Sequence, residues 1–229
     1  MGVDEIIANN IPQKTEIIKK EKISSLEEII NYARSLAQSS TSIDQLKEKI
    51  ENFEYCELKK TANKTVFGEG TLNARILFIG EAPGATEDTE GRPFCGDSGK
   101  LLDLMLKSIG LARAENIYIT NSIFWRPPGN RRPTPSEIAI CRPFVERIIS
   151  LINPSMIIMV GSTAVSSVLG ITEPITMVRK QYYDYNNEYL QNKIKATAIF
   201  HPSYLLRQPS QKKHFWFDLL KIRRELAGT

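Results

Sequence analysis

Ala196-Thr197-Ala198-Ile199-Phe200-His201-Pro202-Ser203-Tyr204-Leu205-Leu206-Arg207 decides how this chain reads: small and apolar residues run to Phe200, stop at an imidazole, and pass into a loop with a proline, an aromatic ring, two leucines and an arginine. Only one other histidine, His214, occurs in the 229 residues. Working outward, Ala74 to Gly80 reads as a second apolar strand that runs into Gly80-Glu81-Ala82-Pro83-Gly84. Asn116 to Thr120 reads as a third, ending at Asn121. With strands expected over 74–80, 116–121, 156–161 and 195–201 and helices over 98–109, 135–152, 162–169 and 211–226, the chain alternates β and α. That order predicts a three-layer α/β/α sandwich on a central, mainly parallel four-stranded sheet with right-handed crossovers. Sites in open parallel sheets form outside the carboxyl ends of the strands, so Glu81, Asn121 and His201 are expected to meet. Val178 to Leu190, with four tyrosines around Asn186-Asn187, reads as a short hairpin before the last strand.

Upstream, residues 1 to about 22 are polar and mixed around Pro12 and read as a loosely ordered arm. Leu26, Ile29, Ile30, Ala33, Leu36 and Ala37 follow helical spacing behind a Ser24 or Ser25 cap. After the break at Ser39 to Ser42, a second helix is expected from Ile43 to Phe53. The expected division is an N-terminal arm and helical extension over 1–52 and a main domain over 53–229. A hydrophobic content of 41% is enough for one full core. No apolar run is long enough to span a bilayer and no signal segment opens the chain, and three cysteines form no disulfide framework; the expectation is a cytosolic protein in a reducing compartment. Net charge is +4, divided unevenly: residues 1–70 hold 10 Lys or Arg against 12 Asp or Glu, and the remainder holds 20 against 14. The basic excess therefore lies with the strand-end loops, as contact with phosphates would require, although an ordinary solvated surface reads the same way.

Gly80-Glu81-Ala82-Pro83-Gly84, Gly91-Arg92-Pro93-Phe94, Ile119-Thr120-Asn121 and His201-Pro202-Ser203-Tyr204-Leu205-Leu206-Arg207, in this order, resemble the family 4 branch of the uracil-DNA glycosylase superfamily. The resemblance covers residues from about Phe53 to the C-terminus. It implies an enzyme that flips uracil out of DNA and hydrolyses its N-glycosidic bond, leaving an abasic site, as in base-excision repair.

Each requirement of that chemistry selects residue types. Flipping needs a stacking ring and a wedge: by its place in the motif Phe94 is the ring, and Tyr204-Leu205-Leu206 lies where the wedge belongs, with Leu205 as the wedge. The alternative is that Phe94 and Leu205 are core residues. An amide at Asn121 can donate and accept in the plane of the uracil edge, which a carboxylate or hydroxyl cannot match; it could also cap the next segment. His201 would donate to the uracil carbonyl as the base leaves as an anion, or serve as a structural histidine. Ala82, Pro83 and Gly84 would line the pocket. In family 1 enzymes an Asp stands where Ala82 is here, and Glu81 and Glu87 compete for the water-handling role: the resemblance implies that Glu87 compensates while Glu81 shapes the loop and adds to the field favouring a positively charged sugar; Asp88 and Glu90 read as solvated surface. Arg126, Arg131, Arg132 and Arg207 are the implied phosphate contacts, the first three on a loop stiffened by Pro127, Pro128, Pro133 and Pro135. Ser162 after Gly161 either caps a helix or meets a phosphate.

The resemblance breaks at one place. Family 4 enzymes usually hold a [4Fe–4S] cluster through four cysteines; here Cys56 and Cys141 match two of them, while Phe53 and Trp125 stand at the other two. The sequence therefore predicts no metal and no cofactor, as in an alphaproteobacterial-type branch lacking those two cysteines. Expected partners are uracil-containing DNA and, through the N-terminal extension, repair or replication proteins, with the protein acting as a monomer in the nucleoid. The competing readings are a non-catalytic or covalently trapping uracil-DNA binder and a replication-associated nucleic-acid-binding domain. Trapping relatives carry a His-bearing insertion after the Gly-Arg-Pro-Phe-like region, and Gly96 to Leu102 contains no histidine.

Overall fold

The computed structural model describes residues 23–228; the arm expected over residues 1–22 lies outside the described residues. The elements run α1 (Leu26–Gln38), α2 (Ile43–Glu51), α3 (Glu57–Thr61), β1 (Glu69–Gly70), β2 (Ile76–Gly80), α4 (Ala85–Glu90), α5 (Asp97–Lys107), β3 (Ile117–Asn121), α6 (Pro135–Ile152), β4 (Met156–Val160), α7 (Ser162–Leu169), α8 (Ile175–Val178), β5 (Tyr183–Tyr185), β6 (Ile194–Ile199), α9 (Pro202–Arg207) and α10 (Lys212–Ala227).

Strand order is β1-β3-β2-β4-β6-β5. The four inner strands are the expected ones and all pair parallel, while β1 and β5 add antiparallel edges, making six. The edge strand β1 escapes sequence reading for a physical reason: with two residues, Glu69-Gly70, it is too short to show alternation and carries no apolar residue at all. The tyrosine-rich segment does form a hairpin, but its second strand is β6 itself: Tyr183 pairs with Ala196 and Tyr185 with Ile194.

Inner strands buried on both faces read as continuous apolar runs, and every residue of β2, β3 and β4 is buried. One face packs against α1, α2, α6 and α7, the other against α5, α9 and α10. Of the two serines expected to cap α1, Ser25 does so, in a capping box: its hydroxyl accepts from the Glu28 amide while the Glu28 carboxylate accepts from the Ser25 amide. Helices α1 and α2 bury Ala33, Ala37, Leu46 and Ile50 in the same cluster as Phe144 and Ile148 of α6, and Arg147 of α6 donates twice to the Ser40 carbonyl.

The chain passes from β2 to β3 on one side and then to β4 on the other side of β2. This reversal opens a crevice above the carboxyl ends of β2 and β4, the place where open α/β sheets bind ligands. Register fixes what borders it. Gly80 pairs with Asn121, Val160 with Ile199, and the Gly161 amide donates to the Ile199 carbonyl at 2.9 Å. Thus Glu81, Asn121, Gly161 and His201 leave adjacent strands at one level.

Candidate active site

At that level lies a cavity of about 760 Å³, bordered by Glu81, Ala82, Pro83, Gly84, Glu87, Phe94, Asn121, His201, Tyr204 and Arg207. The meeting of Glu81, Asn121 and His201 expected from the strand ends is thus what the structure has.

Asn121 ends β3 and is 1% exposed, yet neither its Nδ2 nor its Oδ1 has a hydrogen-bond partner among the described residues. An unpaired buried amide costs on the order of 1–3 kcal/mol, so a fold does not keep one without a use. Beside it, a side chain on Gly80 would put Cβ at 2.4 Å from Asn121 Oδ1 and 2.5 Å from the Phe94 ring. Glycine there lets ring and amide come together over the strand end. Ser122 holds the same spot from behind, its amide and hydroxyl both donating to the Gly80 carbonyl, at 2.9 and 2.8 Å.

Phe94 is 6% exposed and its ring lies 5.7 Å from that of His201 at 31°. Its φ of 51° is left-handed, which for a residue with a Cβ costs roughly 1–2 kcal/mol. Glu87 is part of what holds this loop. Its Oε1 accepts from the Cys95 and Gly96 amides at 3.0 and 2.9 Å, and its Oε2 from the Gly84 amide at 3.2 Å. One carboxylate therefore ties the Phe94 loop to the Glu81 loop. Glu81 itself lines the cavity with no hydrogen bond to another described residue. Asp88 is not the solvated residue that its sequence context indicated: it is 1% exposed and accepts from the Asn63 amide, the Asn63 side chain and the Lys64 amide.

His201 is the N-cap of α9. Its Nδ1 accepts from the Ser203 amide at 3.2 Å and lies 2.8 Å from Ser203 Oγ. An amide can only donate, so Nδ1 is bare and the ring proton sits on Nε2. Burial, reinforced by the Arg207 guanidinium and opposed by Glu87, holds the imidazole pKa down to about 4. The ring is accordingly a neutral donor.

The expected wedge needs correction. Leu205 is 0% exposed and sits in the core with Phe200, Phe215 and Leu219, because on α9 it faces the sheet. Leu206, one position on, is 45% exposed. The four arginines also divide. Arg132 and Arg207 line the cavity, exposed and without an ion pair among the described residues. Arg131 also lines it but is bound bidentately to Glu137 at 2.7 and 2.9 Å. Arg126 does not border the cavity and is bonded to Asn130, 4.0 Å from Asp88. Ser162 lines the cavity and makes no cap bond; Gly161, with φ 92°, is the N-cap of α7.

Comparison with known proteins agrees with this geometry. Residues 67–220 match the family model described as Uracil DNA glycosylase superfamily. The chain belongs to that superfamily. Within it, the chain is 40% identical over 189 residues to the type-4 uracil-DNA glycosylase of Archaeoglobus fulgidus, covering 82% of this chain and 94% of that one. It is 43% identical over 166 residues to the type-4 uracil-DNA glycosylase of Thermotoga maritima, covering 72% and 83%. A 31% identity over 171 residues links it to a DNA polymerase of Bacillus phage SP01, 75% of this chain but 18% of that one. These relatives place the chain in the type-4 branch.

Membership of that branch overturns one expectation. The sequence predicted no metal and no cofactor, whereas the family resemblance implies an iron–sulfur cluster; the expectation is withdrawn. The residues present do not match a four-thiolate site. Cys56 and Cys141 are both buried; burial holds the Cys141 thiol pKa well above its ordinary value, while the neighbouring Cys141 lowers that of Cys56. Phe53 and Trp125 stack beside them at 6.4 Å and 18°, each 1% exposed, and Trp125 Nε1 donates to Thr65 at 3.0 Å. Two thiols and two rings are the local chemistry. No helix among the described residues is long and apolar enough to cross a membrane.

Proposed function

We propose that this protein is a uracil-DNA glycosylase that hydrolyses the N-glycosidic bond of a flipped uracil and leaves an abasic site. The observation that carries the reading is the buried, unpartnered amide of Asn121 in a cavity shared with Phe94 and His201. Uracil presents N3–H beside O4, so the amide donates to O4 and accepts from N3–H, both unmet needs answered by one base. Phe94 stacks on the ring. As the C1′–N1 bond breaks, its electron pair moves onto the base and the O2 oxygen gains charge, where the His201 Nε2–H stabilises it. Water adds to C1′ and gives up its proton. Glu87 has three amides to hold, so Glu81, with none, is the carboxylate we assign to the water. Ala82, Pro83 and Gly84 shape the pocket wall. The test is release of uracil from uracil-containing oligonucleotides, scored by alkali cleavage at abasic sites. No cleavage beyond a thymine control would reject the reading.

We further propose residues 53–229 as the catalytic unit and 1–52 as an extension for repair or replication partners, the whole acting as a monomer on nucleoid DNA.

Two predictions concern the grip on DNA. Leu205→Ala should cost about 2–5 kcal/mol of stability, as core truncations do. Leu206→Ala should leave the melting temperature in place but slow paired uracil more than single-stranded uracil, since only the duplex charges a few kcal/mol for unpairing. Equal losses on both substrates for Leu206→Ala would remove it as the wedge. For the phosphate contacts, Arg132→Ala and Arg207→Ala should each reduce the slope of log K against log salt by about one unit. Arg126→Ala and Arg131→Ala should leave that slope unchanged because both guanidinia are already engaged within the protein. A slope set by Arg126 or Arg131 instead would move the DNA path along the loop.

A further inference from the structure

We infer that Arg113, outside every motif named above, is the positioning residue for the Phe94 ring. This rests on the proposed role of Phe94 as the stacking surface. Arg113 lies in the segment between α5 and β3, and its side chain is only 13% exposed. Nη1 donates to the Pro93 carbonyl at 2.7 Å and Nη2 to the Phe94 carbonyl at 2.6 Å. The rest of the fork is also bound: Nε to Asp103 at 3.0 Å and Nη1 to Glu69 at 3.0 Å. Glu69 in turn holds Arg92 through Nη2 at 2.7 Å. Arg92-Pro93-Phe94 is thus fastened on its carbonyl side by Arg113, and Glu69 joins Arg113 to Arg92.

The fastening bears on Phe94 in particular. A left-handed φ on a bulky residue persists only when its surroundings over-determine it. Here Glu87 takes the two amides after Phe94, and Arg113 takes the carbonyl of Phe94 and the one before it. Gly99 completes the seat: a Cβ there would stand 1.7 Å from the Phe94 carbonyl oxygen. Only a planar fork with several fixed donors serves two neighbouring carbonyls and two carboxylates together; a lysine ammonium keeps the charge but not the fork.

The test is Arg113→Lys alone and on a Phe94→Ala background, with kcat/KM on uracil-containing oligonucleotides, the melting temperature and the crystal structure of Arg113→Lys. In the presence of Phe94, Arg113→Lys should lower kcat/KM by about 10- to 100-fold, the scale of a roughly 1 Å misplacement. On Phe94→Ala it should cost less than about twofold, because a residue acting through Phe94 has nothing left to position. The crystal structure should show Phe94 out of the left-handed region. Equal fold losses in both backgrounds, or a retained Phe94 φ, would overturn the inference. If Arg113→Lys fails to fold, Glu69→Gln serves in the same cycle, with a smaller loss of about three- to tenfold that also vanishes on Phe94→Ala. Failure of the glycosylase reading looks different: the unaltered protein releases no uracil, and the Phe94 conformation still decides the role of Arg113.

Discussion

Asn121→Leu is expected to abolish uracil release and, in the same molecule, to raise the melting temperature. The two effects share one cause. Both polar atoms of the Asn121 amide are buried without a partner, so the free protein carries their desolvation cost of on the order of 1–3 kcal/mol. Leucine has nearly the same branched shape and no polar atom to leave unpaired. For a chain of this size the recovered energy corresponds to roughly 2–12 °C. Activity moves the other way, because the uracil edge then meets a hydrocarbon and its own N3–H and O4 are stranded. Sites built to hydrogen-bond a substrate lose about four to five decades when that complement is missing. Asn121→Asp should be nearly as inactive without the stability gain, since it sets an acceptor against the uracil O4 and buries a carboxylate. The measurement is kcat/KM on a single-stranded uracil oligonucleotide beside thermal unfolding. A leucine variant that is less stable than the parent, or that retains more than about one-hundredth of its activity, would mean that the amide is satisfied in solution and serves the fold.

How far the sequence foretold this site depends on what each residue's neighbours are. The strand ends were legible because burial on both faces makes β2, β3 and β4 largely apolar runs, β6 shows the same pattern from Ala196 to Ile199, and the rule for parallel sheets then brings Glu81, Asn121 and His201 together. Pairing along one edge was not legible: Glu69-Gly70 shows no strand pattern, though its Glu69 anchors the Phe94 loop. Leu205 and Leu206 look alike in sequence, and only the one-residue rotation of α9 sends the first into the core and leaves the second outside. Glu87 lies within a motif that looks chemical, yet its oxygens are occupied by amides contributed from two loops. Arg113 had no local signal at all. Its partners Glu69, Pro93, Phe94 and Asp103 are distant in sequence, and such a convergence becomes visible only after folding. The cofactor expectation failed for a different reason. Two missing cysteines were read as a missing function, while membership of the type-4 branch rests on about three quarters of the chain.

His201→Ala is expected to lower kcat by about two to three decades, the usual cost of one oxyanion donor, and the pH behaviour of the parent shows why a neutral ring suffices. With its pKa held down to about 4, chiefly by burial, the imidazole gains no proton between pH 8 and about pH 5. Its contribution to kcat should therefore be flat over that range, with no inflection near the ordinary histidine value of about 6.5. Stability carries the same signature with a definite sign. Above about pH 6.5 the ring is neutral in both folded and unfolded chains, and its contribution is complete. Between about 6.5 and 4 the unfolded chain takes up the proton first, so stability is lost as pH falls, by about 2–3 kcal/mol in all. Asp218 runs the other way: burial lifts its carboxyl to about 6 against the pull of Arg179, so the folded chain binds the extra proton there and acidification adds stability over part of that window. The difference in unfolding free energy between the parent and His201→Ala isolates the histidine, since Asp218 is common to both. That difference should shrink from pH 7 to pH 4. Ring-proton resonances of His201, assigned with a His214→Asn variant, should hold still from pH 8 to about pH 5 and move only as the pH nears 4. A midpoint near 6.5 in those resonances, or a stability difference independent of pH, would show that His201 titrates as an ordinary imidazole and that its neutral form is not fixed by the fold.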